Sequence, residues 1–276
     1  MWSSSASTCE GGGSMSDTHV HCGFSSDSTM TLEQAWSQVK DEPKRGMIVT
    51  EHWDYEYPGD PKKFIFDRDA YFAEYKKMRK PGKLLLGIEV GMQPHLAAED
   101  DAVPQGYAFD YVLGAVHMMN KQDLYYKKAY QGLTQPQAEE LYLQTAIACV
   151  DSHKNIDAFA HIDYICRYWP YTGAEQELHL EEHLKLYQQL LGKLVARKLP
   201  LEFNTRRLDN QQAIRTMLDI GHCYAGLGGR YCTVGSDAHN KTHVARRLAL
   251  ASVLAKECGL VPVFFEERKM YRDRVL

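Results

Sequence analysis

An α/β fold closed into a parallel barrel is what this sequence predicts, and three observations carry that expectation. Seven short apolar runs alternate with longer helical patterns between Asp17 and about Glu257. The runs are apolar on successive residues, as in parallel strands covered on both faces. Neither a Pro/Ser-rich linker nor a fixed-period repeat divides the 276 residues, so the units fit one layered domain. A doubly wound open sheet is the main alternative.

The elements follow in order. Asp17–Val20 is the first strand, and the helical pattern Thr31–Lys40 opens with Thr31 and Gln34 at capping-box spacing. Met47–Thr50 leads to a helix over Asp69–Arg79, stopped by Pro81-Gly82. Leu84–Val90 and Tyr111–Val116 are the third and fourth strands. A helix over Pro136–His153, with proline in its first turn, precedes the fifth strand, Ala158–Ile162. A long helix over Glu177–Lys198 ends before Pro200, within the turn to Leu199–Phe203. Gln211–His222, Tyr231–Gly235 and Lys241–Cys258 complete the series.

Residues 1–14 are rich in Ser and Gly and lack the basic start and apolar stretch of a secretory signal. They are expected to be an appended tail or a disordered extension, with Met15 as the natural start. Residues 15–276 then form a single catalytic domain. Seven cysteines without a C-x-x-C pair suggest neither a zinc ribbon nor a disulfide framework. Reduced thiols in a cytoplasm are the expectation. A net charge of −4 and a pI near 6.3 give no basic field for gripping long nucleic acid. No apolar run is long enough to cross a membrane.

Twelve histidines are present, and their positions matter more than their number. His19 and His21 stand two apart on an extended chain, so both point to one face. Asp27 lies in the loop that follows. The second strand ends in Thr50-Glu51-His52, the third in Gly87-Ile88-Glu89-Val90-Gly91 and the fourth in Gly114-Ala115-Val116-His117. Ala160-His161-Ile162-Asp163 closes the fifth, and Gly235-Ser236-Asp237-Ala238-His239 the seventh. In parallel α/β folds such strand ends converge on one face. Burying these imidazoles and carboxylates together without a metal would strand polar groups at on the order of 1–3 kcal/mol each. Zinc, manganese and iron accept this ligand chemistry, so a multinuclear metal site is expected.

The series D-x-H-x-H, F-S-x-D-S, T-E-H, G-I-E-x-G, A-V-H, A-H-I-D-Y-I and G-S-D-A-H resembles the polymerase-and-histidinol-phosphatase (PHP) superfamily, in its histidinol-phosphatase branch. The resemblance runs from Met15 to about residue 260. It implies a distorted (β/α)7 TIM-like barrel holding three divalent metal ions (Zn, Mn or Fe). It further implies one ion on His19, His21, Glu89 and Asp237, a second on Glu89, His117 and His161, and a third on Asp27, His52 and His239. Glu89, Asp237 and His239 would carry the catalytic chemistry. The chain departs from the pattern at Asp27, where several relatives have histidine. It departs again at Asn204-Thr205-Arg206-Arg207, where the family often reads N-T-S-G with a later arginine.

Clustered divalent ions stabilise a bridging hydroxide and neutralise a phosphoryl group. The expected activity is therefore hydrolysis of a small phosphate monoester, with L-histidinol phosphate first. Guanidinium forks suit the phosphate, and Arg167 with Arg206 or Arg207 are the candidates the resemblance points to. Tyr55, Tyr57, Tyr168 and Trp169 could line a pocket. A phosphodiesterase or broad phosphoesterase acting on nucleotides is the alternative. An amidohydrolase would want a strand-borne lysine where Glu89 stands, and a decayed binding module would not retain nine competent ligands. His179-Leu180-Glu181-Glu182-His183 matches an inverted zincin motif, but its polar surroundings suggest a solvated helix face. Gly226-Leu227-Gly228-Gly229 leads into a strand, not a helix, and so is no phosphate loop.

Overall fold

The computed structural model describes residues 15–43, 45–171 and 177–273. The predicted tail, residues 1–14, lies outside them. Seven parallel strands stand where the apolar runs were expected: β1 (Asp17–Val20), β2 (Met47–Trp53), β3 (Leu84–Gly91), β4 (Tyr111–Ala115), β7 (Ala158–Phe159), β8 (Leu201–Asn204) and β9 (Tyr231–Gly235). Between β4 and β7 comes a small hairpin, β5 (Met118–Met119) with β6 (Gln122–Asp123). The chain then ends in β10 (Val261–Glu266) and β11 (Lys269–Arg272). The apolar run over residues 260–265, which supplies most of β10, was passed over in the sequence, whereas the β5–β6 hairpin has no such run.

Strands pair in the order β1-β2-β3-β4-β7-β8-β9-β10-β11, parallel throughout except for the final antiparallel pair. The sheet closes through β9, whose edge is divided between two partners. Its first residues pair with β10, Tyr231 with Val261 and Cys232 with Pro262. Past its last residues the chain meets β1: Asp237 N–H donates to His19 O at 2.8 Å and His21 N–H to Ala238 O at 2.8 Å. The barrel is distorted because β1 and β9 touch at the C-terminal mouth while β10 fills the gap below. There Val263 and Phe265 enter the barrel interior among Ile48, Leu85, Tyr111, Leu113 and Ala158. Phe265 stacks on Tyr111 with ring centres 5.2 Å apart.

Helices α1 (Leu32–Ser37), α2 (Arg68–Tyr75), α3 (Ala97–Ala102), α4 (Gln135–Ser152), α5 (Leu184–Ala196), α6 (Gln211–Gly226) and α7 (Leu248–Glu257) accompany the strands. Thr31 caps α1 through the predicted box, accepting from Gln34 N–H while Gln34 Oε1 accepts from Thr31 N–H. One expectation needs correcting. The helix placed over Glu177–Lys198 starts only at Leu184. Residues 178–183 instead lie against α4, where Glu139 accepts from His179 N–H at 2.8 Å and faces His179 Nδ1 at 3.1 Å. The buried Tyr187 hydroxyl donates to the same carboxylate at 2.7 Å, so a fully buried acid on α4 fixes the segment outside the helix. The apparent zincin motif is therefore no helical pair. The fifth strand is also shorter than expected, ending at Phe159, so Ala160–Asp163 forms a loop at the mouth.

Candidate metal centre

The strand ends bring all nine expected ligand residues to one site. His19 and His21, both fully buried, present their Nε2 atoms 2.9 Å apart. Glu89, buried on β3, lies beneath five histidines, with His52 Nδ1 2.9 Å from its Oε2. Its Oε1 is 3.3 Å from His19 Nε2, 3.3 Å from His117 Nε2 and 2.8 Å from His161 Nε2, and its Oε2 is 3.4 Å from His21 Nε2. Asp237 Oδ1 lies 3.8 Å from His19 Nε2 and 3.5 Å from His21 Nε2. On the outer side Asp27 Oδ2 is 3.6 Å from His52 Nε2 and 3.3 Å from His239 Nε2. Asp237 holds φ of 53°, a left-handed conformation that aspartate tolerates, which turns its side chain inward as its N–H reaches His19 O.

Neighbouring groups fix which ring nitrogen points inward. Glu202 Oε1 on β8 sits 2.7 Å from His19 Nδ1, and Asp54 Oδ1 sits 2.7 Å from His117 Nδ1. A carboxylate accepts only, so each ring donates outward and turns a lone pair inward. Asp237 O plays the same part for His239 Nδ1 at 3.0 Å. Ser25 Oγ receives His52 N–H and gives its proton to Glu51 Oε2 at 2.5 Å, which leaves it an acceptor for His21 Nδ1 at 3.1 Å. The lone pairs of His19 and His21 therefore face each other at 2.9 Å, an arrangement that a cation between them would hold. His117 Nε2 and Glu89 Oε2 are likewise buried with no hydrogen-bond partner.

Burial would push the His19 and His117 rings down, but Glu202 and Glu89 around His19, and Asp54 and Glu89 around His117, hold both well above the ordinary imidazole value. Their inward nitrogens take up a proton as well as they would a metal ion, and the two compete. Burial alone would push the Glu89 carboxyl up, but His19, His117 and His52 more than offset it and hold it well below the usual carboxylate range. Arg167, His19 and His239 do the same for Asp237 against its burial. Burial and the neighbouring His52 and His239 hold His21 well below the ordinary imidazole value, so it stays a neutral donor. Four overlapping triads of potential ligand atoms link the cluster: His21, His52 and His239; His19, Glu89 and His161; His19, His21 and Asp237; His52, Glu89 and His117. Ionised carboxylates and inward lone pairs are a donor set that fits divalent metal ions.

Above the cluster opens a cavity of about 250 Å³, with Asp27, His52, His117, His161, Asp237 and His239 on its floor and walls. Arg167 enters it from the 3₁₀ turn Tyr164–Arg167, donating to Asp237 Oδ2 at 2.5 Å and Asn204 Oδ1 at 3.2 Å. Arg206 also lines it and donates to Asp237 O at 2.8 Å. Arg207 does not: its guanidinium spans Asp163 Oδ2, at 2.9 Å, and Glu177, away from the cavity. Of the four aromatics, Tyr168 lines the cavity beside Tyr164, which sequence reasoning passed over. Trp169 is buried against Tyr171, while Tyr55 packs on Trp53 and Tyr57 bonds Tyr126, so these three are not among the lining residues.

Glu202, Asp54, Ser25 and Glu51 were also missed. A glutamate within the apolar Leu201–Asn204 and an aspartate two residues beyond His52 were the available signals. Three of the other six histidines pair elsewhere: His95 with Glu56, His153 with Asp100 and His179 with Glu139.

Comparison with known proteins places the chain among relatives. A protein of Clostridium acetobutylicum named "Probable histidinol-phosphatase" is 40% identical over 254 residues, 92% of this chain and 98% of its own. A histidinol-phosphatase of Lactococcus lactis is 26% identical over 248 residues, 88% of this chain and 91% of its own. The crystal structure of histidinol phosphate phosphatase from Lactococcus lactis, complexed with zinc, L-histidinol and phosphate, superposes with a TM-score of 0.84 at 25% identity. That likeness covers 93% of this chain and 98% of that one. The PHP domain family matches residues 17–206, from the first strand to the arginine at the cavity wall. With its histidines and carboxylates gathered at the strand ends, its barrel and that match, this chain belongs to the PHP domain family.

Proposed function

We propose that this protein is a metal-dependent phosphatase that hydrolyses L-histidinol phosphate to L-histidinol and phosphate. The observation that carries the reading is two arginines, Arg167 and Arg206, set at a cavity whose floor is a cluster of imidazoles and carboxylates. His19, His21, Glu89 and Asp237 would hold one ion, Glu89, His117 and His161 a second, and Asp27, His52 and His239 a third. Such ions neutralise a phosphoryl group and lower the pKa of water. Arg167 and Arg206 bind and orient the phosphate oxygens, their forks already aligned by Asp237. Tyr164 and Tyr168 give the alcohol portion an aromatic wall.

The relatives named as histidinol-phosphatases, and the neighbour solved with L-histidinol and phosphate, support this substrate over other monoesters. Residues 15–276 are read as one catalytic domain. The described cysteines are all free, and no described helix is long and apolar enough to cross a membrane, which suits a cytoplasmic enzyme.

The test is phosphate release from L-histidinol phosphate against a panel of monoesters and diesters, with metal content measured on the same sample. The highest kcat/KM is expected on L-histidinol phosphate, with activity lost on chelation and restored by metal. Preference for a diester, or full activity in demetallated protein, would overturn the reading.

A further inference from the structure

Arg207 and Arg206 are neighbours in sequence with separate surroundings. Arg207 is mostly enclosed and spans two buried carboxylates, Asp163 and Glu177. Asp163 immediately precedes the 3₁₀ turn Tyr164–Arg167, and Cys166 N–H donates to Asp163 O at 3.1 Å. The segment from Ala160 to Tyr168 is anchored in the core by Ile162 and Ile165, and its polar ties to other elements are few. Strand β7 has ended at Phe159, so sheet pairing no longer holds it. Ala160 N–H reaches Gly114 O and His161 N–H reaches Glu202 Oε2, each at 2.8 Å. Beyond His161, the ion pair of Asp163 with Arg207 ties the base of the turn to the loop that follows β8. At the far end of that turn Arg167 enters the cavity, its guanidinium 5.0 Å from the Tyr164 ring centre.

We infer that Arg207 is a positioning residue: through Asp163 it fixes the turn that presents Arg167 to the substrate phosphate, while Arg206 contacts that phosphate from the same loop. The two arginines then share one task by different routes, and the segment binding phosphate from β7 is registered to the segment binding it from β8. A two-point guanidinium fork suits this registration, since it constrains orientation as well as distance. This inference rests on the phosphatase reading and on the role given there to Arg167.

The test compares Asp163→Asn, Arg207→Lys and Arg167→Gln in the metal-loaded enzyme. For each, KM and kcat on L-histidinol phosphate, the inhibition constant of inorganic phosphate and the bound metal are measured. Asp163→Asn keeps the shape of the side chain and leaves Arg207 its bond to Glu177. It is expected to raise both KM and the phosphate inhibition constant at least fivefold with metal content unchanged. Arg207→Lys, which keeps charge but loses the fork, should shift both in the same direction by a smaller factor. A purely structural role would lower the folded fraction, and with it kcat, while leaving KM and the inhibition constant in place. Unchanged constants in both variants overturn the inference. If Arg167→Gln weakens phosphate binding and these two do not, only the positioning role fails. If Arg167→Gln also leaves both constants in place, the assignment of Arg167 to phosphate fails with it. Should Asp163→Asn not fold, Arg207→Lys decides by the same readout.

Discussion

Four of the six imidazoles in this centre, His19, His21, His117 and His239, have their donor nitrogen set by a particular neighbour, and that neighbour is a better target for mutation than the ring itself. Glu202 accepts from His19 Nδ1 with one oxygen and from His161 N–H with the other. In Glu202→Gln an amide NH₂ can face His19 and drive the inward nitrogen to carry the proton, which removes it as a ligand. Metal affinity is expected to fall about 10–100-fold with the fold intact, read by competition with a chromogenic chelator. A second residue-level expectation concerns Asp100. Burial pushes its carboxyl up to about 6, with the 2.8 Å contact to His153 opposing. A folded value above the ordinary 3.8 of an aspartate means the protonated form favours folding. That contribution is complete below 3.8 and is lost as pH rises through about 6. The stability of the parent relative to Asp100→Asn should therefore decline between pH 4 and 6, by roughly 1–3 kcal/mol in denaturant titrations. The metal centre is common to both proteins and cancels in that difference. The candidate ligand residues were legible in the sequence because a period of two and a position at a strand end are local properties. Glu202 and Asp54 were not, because what they bond is remote in sequence.

At the scale of elements, the contact between β1 and β9 sets the first metal pocket. A Cβ added at Gly235 would lie 2.3 Å from His19 Cβ and 2.4 Å from Glu202 Oε1. Two strands would have to separate to accept it. Gly235→Ala is expected to cost at least ~2 kcal/mol, as overpacking does, and to lower metal content in the same preparation. Thermal denaturation and metal analysis together check this, and an unchanged melting temperature with full metal content would refute it. Gly91 shows the same close approach, since Asp54, the residue that orients His117, fills the space where its Cβ would be. Helix α1 was readable through its capping box, a local device. Helix α5 was placed seven residues too early because the polar run 177–183 has acceptable helical spacing. Glu139, about 40 residues upstream, holds that run against α4.

For the molecule as a whole, the proposed ligand residues arise from β1, β2, β3 and the segments following β1, β4, β7 and β9, so ions bound to them would tie the entire mouth of the barrel together. Ligands that bind only the folded state stabilise it by mass action, about 4 kcal/mol at a thousandfold excess over the dissociation constant. Chelation is therefore expected to lower the melting temperature by several degrees as well as to stop catalysis, and adding metal back should restore both. A melting curve indifferent to chelation would show that the cluster holds itself together without ions.

The sequence by itself determined the α/β class, the seven parallel strands and the nine residues at their ends, because burial on both strand faces and side-chain alternation are written in consecutive residues. Only the tertiary structure decided how the sheet closes. β9 divides its edge between β1 and β10, and Val263 and Phe265 of the closing hairpin fill the barrel. It likewise decided that Arg206 faces the cavity while Arg207 turns to Asp163 and Glu177. Two adjacent arginines are alike to any local rule. What separates them is which buried carboxylates the folded chain brings near each one, and that is a property of contacts between distant residues.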